Sequence, residues 1–298
     1  MTSPKIAPWA RPSMAWLRPT VAERFVAAGI AVRPSNWARL CVGLGAAILI
    51  SVAVRAQTPG ATQCDILAQP PRAVLGRSAL AAGVNLGSID IVPALLACEA
   101  AVAAYPGEPR FRTWLGRVLQ ASRADGEAVA AYRIAAEQGH AFGQTSLGFM
   151  LEKGEGVARN DAQAAQWYRR AAEQGDVLAQ TRLGILLEEG RGVARNDAQA
   201  AQWYRRAAEQ GDAQAQNNLG MMLQAGRGVA RDDAQAVQWF RRAANQGNAH
   251  AQVNLGTMLA NGRGVARDRA AAIALYQRAA RQGHAEAQET LRRLNLTW

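Results

Sequence analysis

Residues 213–247 read AQAQNNLGMMLQAGRGVARDDAQAVQWFRRAANQG, and this stretch decides the fold. Ala215, Leu219, Met222 and Leu223 stand at i, i+4, i+7 and i+8, one face of an α-helix. Gly226 follows, placed to end that helix with a left-handed cap. After the turn Gly-Arg-Gly-Val, Asp232 offers an N-cap for a second helix that runs to Gly247. Trp239, Ala243 and Ala244 are expected to face the first helix. Gly220 falls mid-helix, where glycine costs about 1 kcal/mol relative to alanine. A close helix–helix approach is the expected compensation.

The pattern recurs. Leu147-Gly148, Leu183-Gly184, Leu219-Gly220 and Leu255-Gly256 are spaced by 183 − 147 = 36 residues. Trp167, Trp203 and Trp239 keep that period, as do Gly175, Gly211, Gly247 and Gly283. Asn160, Asn196, Asp232 and Asp268 occupy one repeat position, all good N-caps. Four full copies run from about 141 to 284, and a fifth stops after its first helix. A fixed period of this length means stacked helix pairs, each burying its apolar face against its neighbours. Upstream, Trp114-Leu115-Gly116 and AVAAYRIAAEQG mark a degenerate copy over 108–140, its Leu-Gly step 147 − 115 = 32 residues before the next. Asp90 is placed to cap a helix through Ala104, with Pro93 in its first turn. Residues 57–89 carry Pro, Gly and few periodic apolar positions, and read as an extended lead-in.

Several positions held through four copies, AxAQxxLGxML…GxGVxx(D/N)…AxxW(Y/F)RRAAxQG, resemble the Sel1-like repeat family, a relative of the tetratricopeptide repeats. The resemblance covers residues 141–294, with a looser match back to about 108. It implies an all-α, right-handed α-solenoid whose first helices line a concave face. It also implies an adaptor role, since many family members work in bacterial envelopes, including as periplasmic regulators of signalling and polysaccharide production. Members with a disulfide in every repeat have been linked to β-lactam binding or hydrolysis. The repeats here contain no cysteine from 141 onward, so that activity does not carry over.

The N-terminus reads as an export signal. Residues 40–54, LCVGLGAAILISVAV, are uncharged and follow Arg33 and Arg39; Val54-Arg55-Ala56 places small residues at −3 and −1 of a cleavage site. About 15 apolar residues are short for a spanning helix, which needs about 20. The alternative is an uncleaved inner-membrane anchor facing the periplasm, and Met14 is a second candidate start. Residues 1–56 are thus a signal peptide or anchor, and membrane contact is expected only through them. Export makes Cys64 and Cys98, left once Cys41 departs with the apolar segment, an even pair in an oxidising compartment. A Cys64–Cys98 disulfide is the favoured reading, with two buried free thiols as the alternative. Such a disulfide contributes roughly 3–4 kcal/mol in the chain-entropy model.

The net charge of +11 invites a nucleic-acid reading. Residues 1–56 hold seven basic side chains and one acid, 7 − 1 = +6, which leaves 11 − 6 = +5 for the rest. There Arg169, Arg170, Glu173 and Asp176 alternate in sign, a solvated helix face. Nucleic acid is not expected as a partner.

No catalytic constellation stands out. His140 and His284 occupy one repeat position four copies apart, and His250 stands alone on a first helix. The Gly-x-Gly-Val turns lack the strand and lysine of a phosphate loop, and no GxSxG or HExxH occurs. Glu173 and Glu209 read as exposed helix charges. No enzyme activity, cofactor or metal is expected. On the first helices the positions that change from copy to copy are Thr145, Ser146, Phe149, Thr181, Arg182, Ile185, Asn217, Asn218, Met221, Asn254 and Thr257, a polar stripe with apolar members suited to a peptide or protein partner. Glu152, Glu188 and Glu189 add a negative patch at the ends of the early first helices. The expected function is a periplasmic or envelope scaffold binding a protein or peptide. The rivals are an envelope enzyme or peptidoglycan/β-lactam-binding protein, and a basic module binding an acidic polymer.

Overall fold

The computed structural model describes residues 59–68 and 89–298. Residues 1–56, expected from the sequence to be a signal peptide or anchor, lie outside them. Among the described residues there are thirteen α-helices, and none is long and apolar enough to cross a membrane. They are α1 (Pro59–Ala68), α2 (Ile91–Ala104), α3 (Pro109–Ala121), α4 (Asp125–Glu137), α5 (Ala141–Lys153), α6 (Asp161–Glu173), α7 (Val177–Glu189), α8 (Asp197–Glu209), α9 (Ala213–Ala225), α10 (Asp233–Asn245), α11 (Ala249–Asn261), α12 (Arg269–Arg281) and α13 (Ala285–Arg293). From α3 on they form helix pairs, and each second helix packs on the first helix of the next pair. Contacts run overwhelmingly between neighbours in sequence, the organisation of an α-solenoid.

Local chemistry fixes the boundaries. Asn160, Asn196, Asp232 and Asp268 each accept a hydrogen bond from the backbone N–H three residues on, at 2.8–2.9 Å. Gly154, Gly190, Gly226 and Gly262 close the first helices in the left-handed region. The second turn glycine has a different reason. A Cβ on Gly192 would collide with the Asp161 carbonyl group in the preceding repeat, and Gly156, Gly228 and Gly264 meet Asp125, Asp197 and Asp233 in the same way. One turn therefore seats on the helix start of the copy before it.

The mid-helix glycines are explained by a ring. A Cβ on Gly148 would stand 2.8 Å from Tyr168, and one on Gly184 or Gly220 would stand 2.6 Å from Tyr204 or Phe240. Tyr168, Tyr204 and Phe240 are fully buried. This corrects the expectation for the tryptophans. Ala243 and Ala244 do face inward, but Trp239 is half-buried and lies under the Arg242 guanidinium, 4.5 Å from its ring centre. The neighbouring Phe240 fills the pair. Trp167 and Trp203 sit likewise beneath Arg170 and Arg206.

Between copies runs a glutamine ladder. Gln216 Nε2 donates to the Ala208 carbonyl at 3.1 Å, and Gln246 Nε2 donates to Gln216 Oε1 at 2.9 Å. Gln144/Gln174, Gln180/Gln210 and Gln252/Gln282 repeat the arrangement at 2.8–2.9 Å. Each rung spans first helix to second helix of one copy, with the preceding copy's second helix as the acceptor, so a single side chain ties three helices.

Residues 59–68 are helical, not extended. α1 and α2 form a hairpin joined by the Cys64–Cys98 disulfide, with both sulfurs buried. Asp65 on α1 accepts from Trp114 Nε1 at 3.1 Å, which fastens the hairpin to α3. Period-based reading missed α1 because ten residues carry too few apolar positions to define a face. The degenerate copy is a regular pair, α3 and α4, with Gly116 beneath Tyr132. Its inter-helix turn is only Ser122–Ala124, with Arg123 at φ 64° replacing the Gly-x-Gly-Val element.

Candidate interaction surface

The candidate surface is built from one side of α5, α7, α9 and α11. Apolar positions of these helices are consumed by the core, so what they offer to a partner is the row left uncovered. Phe149, Arg182, Ile185, Asn218, Asn254 and Thr257 are half-buried on that row, and Met221 is exposed. They are brought together across copies. Arg182 lies 5.8 Å from the centre of the Phe149 ring. Gln214 Nε2 donates to Asn218 at 2.9 Å, and Asn254 Nδ2 donates to Asn217 at 2.9 Å. Thr257 bonds the Tyr276 hydroxyl at 3.1 Å.

Thr145, Ser146, Thr181 and Asn217 do not belong to the exposed row. All four are buried, at 0–2% exposure. Thr181 donates to Asp212, the N-cap of the next copy, at 3.1 Å, and Thr113 contacts His140, the equivalent cap, at 2.8 Å. Thr145, Thr181 and Asn217 share one repeat position, which lies at the seam between copies, whereas Ser146 shares its position with Arg182, Asn218 and Asn254. Sequence variability alone does not separate a seam from a surface.

The acids at the helix ends are not a free negative patch. Glu152 is buried, accepts from Tyr168 Oη at 2.9 Å, and pairs with Arg191 at 3.3 Å. Glu188 accepts from Tyr204 Oη at 2.8 Å and pairs with Arg227 at 2.7 Å. Glu189 pairs with Arg191 at 3.0 Å. Each arginine comes from the Gly-Arg-Gly-Val turn of its copy. Arg191 also reaches Asp161, whose carboxyl is held down to about 2 by its hydrogen bond from Arg159, with Arg191 adding to the effect. The turn arginines, unremarked in the sequence, are thus inter-repeat clamps.

Where the row meets these clamps, Ile185, Glu188, Asn218, Gln214, Tyr204 and Arg227 surround an open cavity of about 370 Å³. It offers apolar contact from Ile185, amides from Gln214 and Asn218, and paired charges at its rim. Such a lining can hold an extended segment by its main-chain amides and one modest apolar side chain. It brings no nucleophile and general base together. Among the described residues no group of three or more His, Cys, Asp or Glu could hold a metal ion. His250 is not alone, as the sequence suggested; its Nδ1 lies 3.0 Å from His284 Nε2.

Fold and surface together define a class: an α-solenoid of helix pairs presenting a variable face on an invariant frame. The Sel1 repeat model matches residues 141–176, 177–212, 213–248 and 249–284, so the chain carries four Sel1 repeats in succession. Its boundaries fall at the helix pairs α5/α6 to α11/α12. Similar solved structures include c5321 of uropathogenic Escherichia coli, described as a protective antigen displaying an SLR fold, at 36% identity and a TM-score of 0.62. A Sel1 repeat protein from Oxalobacter formigenes aligns at 34% identity and a TM-score of 0.59. The alignments cover 72% and 69% of this chain, but the chain spans only 47% and 61% of those proteins. No curated protein matches the chain. Sel1 repeats generally mediate protein–protein interaction, and proteins built of them are typically scaffolds rather than enzymes.

Proposed function

We propose that this protein is an exported scaffold of the bacterial envelope that holds a segment of a partner protein along the exposed row of its first helices. One observation carries the reading. The frame residues (Leu, Gly, Gln, Ala, the ring and the caps) repeat almost unchanged, while the exposed row runs Phe149, Arg182/Ile185, Asn218/Met221 and Asn254/Thr257. A merely solvated helix face tends toward charge, whereas this row is mostly amide and apolar. Mixed apolar and amide side chains on rigid helices suit a peptide main chain and its side-chain anchors. The envelope location rests on the basic and then apolar N-terminal segment.

The test is capture from the envelope after in-cell crosslinking. Wild type is compared with a variant carrying Arg182→Ala, Ile185→Ala, Asn218→Ala and Met221→Ala, none of them a fully buried position. Capture of one protein by wild type, lost in the folded variant, supports the reading. Identical capture by both removes the first-helix row as the binding face.

A further inference from the structure

The repeat frame places residue pairs at one recurrent seam, between the second residue of a first helix and the N-cap of the next copy's first helix. In order these pairs are Phe142/Asp176, Leu178/Asp212, Gln214/Asn248 and His250/His284. Only the last is a pair of imidazoles. His250 Nδ1 and His284 Nε2 stand 3.0 Å apart, with the ring planes at 81°.

His284 also departs from its equivalents in what it does. His140, Asp176, Asp212 and Asn248 each accept a hydrogen bond from the first turn of their helix. His284 makes no such bond, and its Nδ1 is buried without a partner. The ring has given up the capping role and aims its outer nitrogen at His250. That alignment has a chemical requirement: one nitrogen must give a proton and the other a lone pair, so at least one ring is neutral.

We infer that His250 and His284 form a two-imidazole site for a divalent transition ion of the zinc type, which replaces the shared proton and joins α11 to α13. Zinc takes imidazole nitrogen at about 2.0–2.1 Å in tetrahedral geometry, which puts two ligand nitrogens about 3.3 Å apart. The observed separation is short of that by a few tenths of an ångström. His250 is exposed, so its ring can turn to bring both lone pairs to one point. Water supplies the remaining positions. Because the two ligands come from the fourth copy and the half-copy that follows it, the ion would fasten α13 to α11.

The test uses the full chain without a polyhistidine tag, titrated with Zn²⁺ alone by calorimetry. Wild type is expected to bind one zinc per chain. The variant His250→Gln/His284→Asn recreates the Gln214/Asn248 pair of the preceding seam, so it retains a capped helix and a folded terminus. It is expected to lose saturable binding. Each single change is expected to weaken binding at least about tenfold, the lower bound for altering even an outer-shell partner. His140→Asn, at the same repeat position but without a second imidazole, leaves zinc binding unchanged. Absence of saturable binding in wild type, an affinity preserved in the double variant, or one zinc per two chains each overturns the site.

Discussion

The Phe240 ring lies directly on the backbone of Gly220, so close that a Cβ at that glycine would stand 2.6 Å from Cε1. Helix propensity alone favours alanine there by about 1 kcal/mol. The fully buried ring reverses that preference. Gly220→Ala is therefore expected to destabilise the protein by about 1–3 kcal/mol, as overpacking does. Gly256→Ala, whose Cβ would meet Tyr276 at 3.0 Å, is expected to be milder. Urea unfolding of the two variants checks the order. Stabilisation by Gly220→Ala would show that the ring moves freely.

The tyrosines bring a second requirement. Tyr204 donates to Glu188 at 2.8 Å, whereas the next copy has Phe240 with Gln224 at the matching places. Glu188→Ala takes the carboxylate partner from the buried Tyr204 hydroxyl and from the Arg227 guanidinium, and is expected to lose about 1–3 kcal/mol. Tyr204→Phe with Glu188→Gln copies the third repeat and is expected to fall within about 1 kcal/mol of wild type. A double-mutant cycle by chemical denaturation reads the coupling.

Along the glutamine ladder, Gln216→Leu removes two hydrogen bonds on a buried seam, while Gln246 keeps its bond to the Gly211 carbonyl at 3.0 Å and the Ala208 carbonyl keeps the Gly211 N–H. A loss of about 0.5–1.5 kcal/mol per bond is expected. Gln246→Ala, at the half-buried end of the rung, is expected to lose less. Hydrogen exchange should show the loss at both α8 and α9, because the rung joins two copies. An effect confined to α9 would mean that the copies are not coupled there.

His140 supplies a pH dependence. Its Nδ1 accepts from the Gly143 N–H at 3.3 Å, and burial holds its imidazole below the ordinary value. The neutral form is favoured on folding, so this contribution to stability is present above about pH 6.5 and fades as pH falls through the lower folded value. His140→Asn keeps a capping acceptor, as Asn248 does in the fourth copy, and is expected to flatten the fall in melting temperature between about pH 7 and 5. An unchanged slope would assign the dependence to other groups.

How far the sequence spoke depended on whether a position was repeated. Leu219, Met222 and Gly226 announced a buried face and a left-handed cap through spacing alone, and the caps Asn160 to Asp268 did so by identity at one position. Trp239 misled because size suggests burial, and the adjacent Phe240 was the residue that the glycine required. α1 was hidden because helix Pro59–Ala68 is short and held by a disulfide and by Asp65 rather than by an apolar stripe. On the candidate surface, Thr145 and Thr181 were indistinguishable in sequence from Arg182 and Asn218. Only the stacking of copies turns the first two into a seam and leaves the others uncovered. The His250–His284 contact was invisible for the same reason, since its 34-residue separation becomes contact only through the superposition of one copy on the next.

The proposed partner lies on the first-helix row and not on the arginine-bearing second helices. A photo-crosslinking residue placed at Met221, and in a separate protein at Arg241 on the exposed side of α10, tests it in the living cell. One discrete crosslinked species is expected from position 221 and none from position 241. A species from position 241 alone, or equal yields from both, would contradict it.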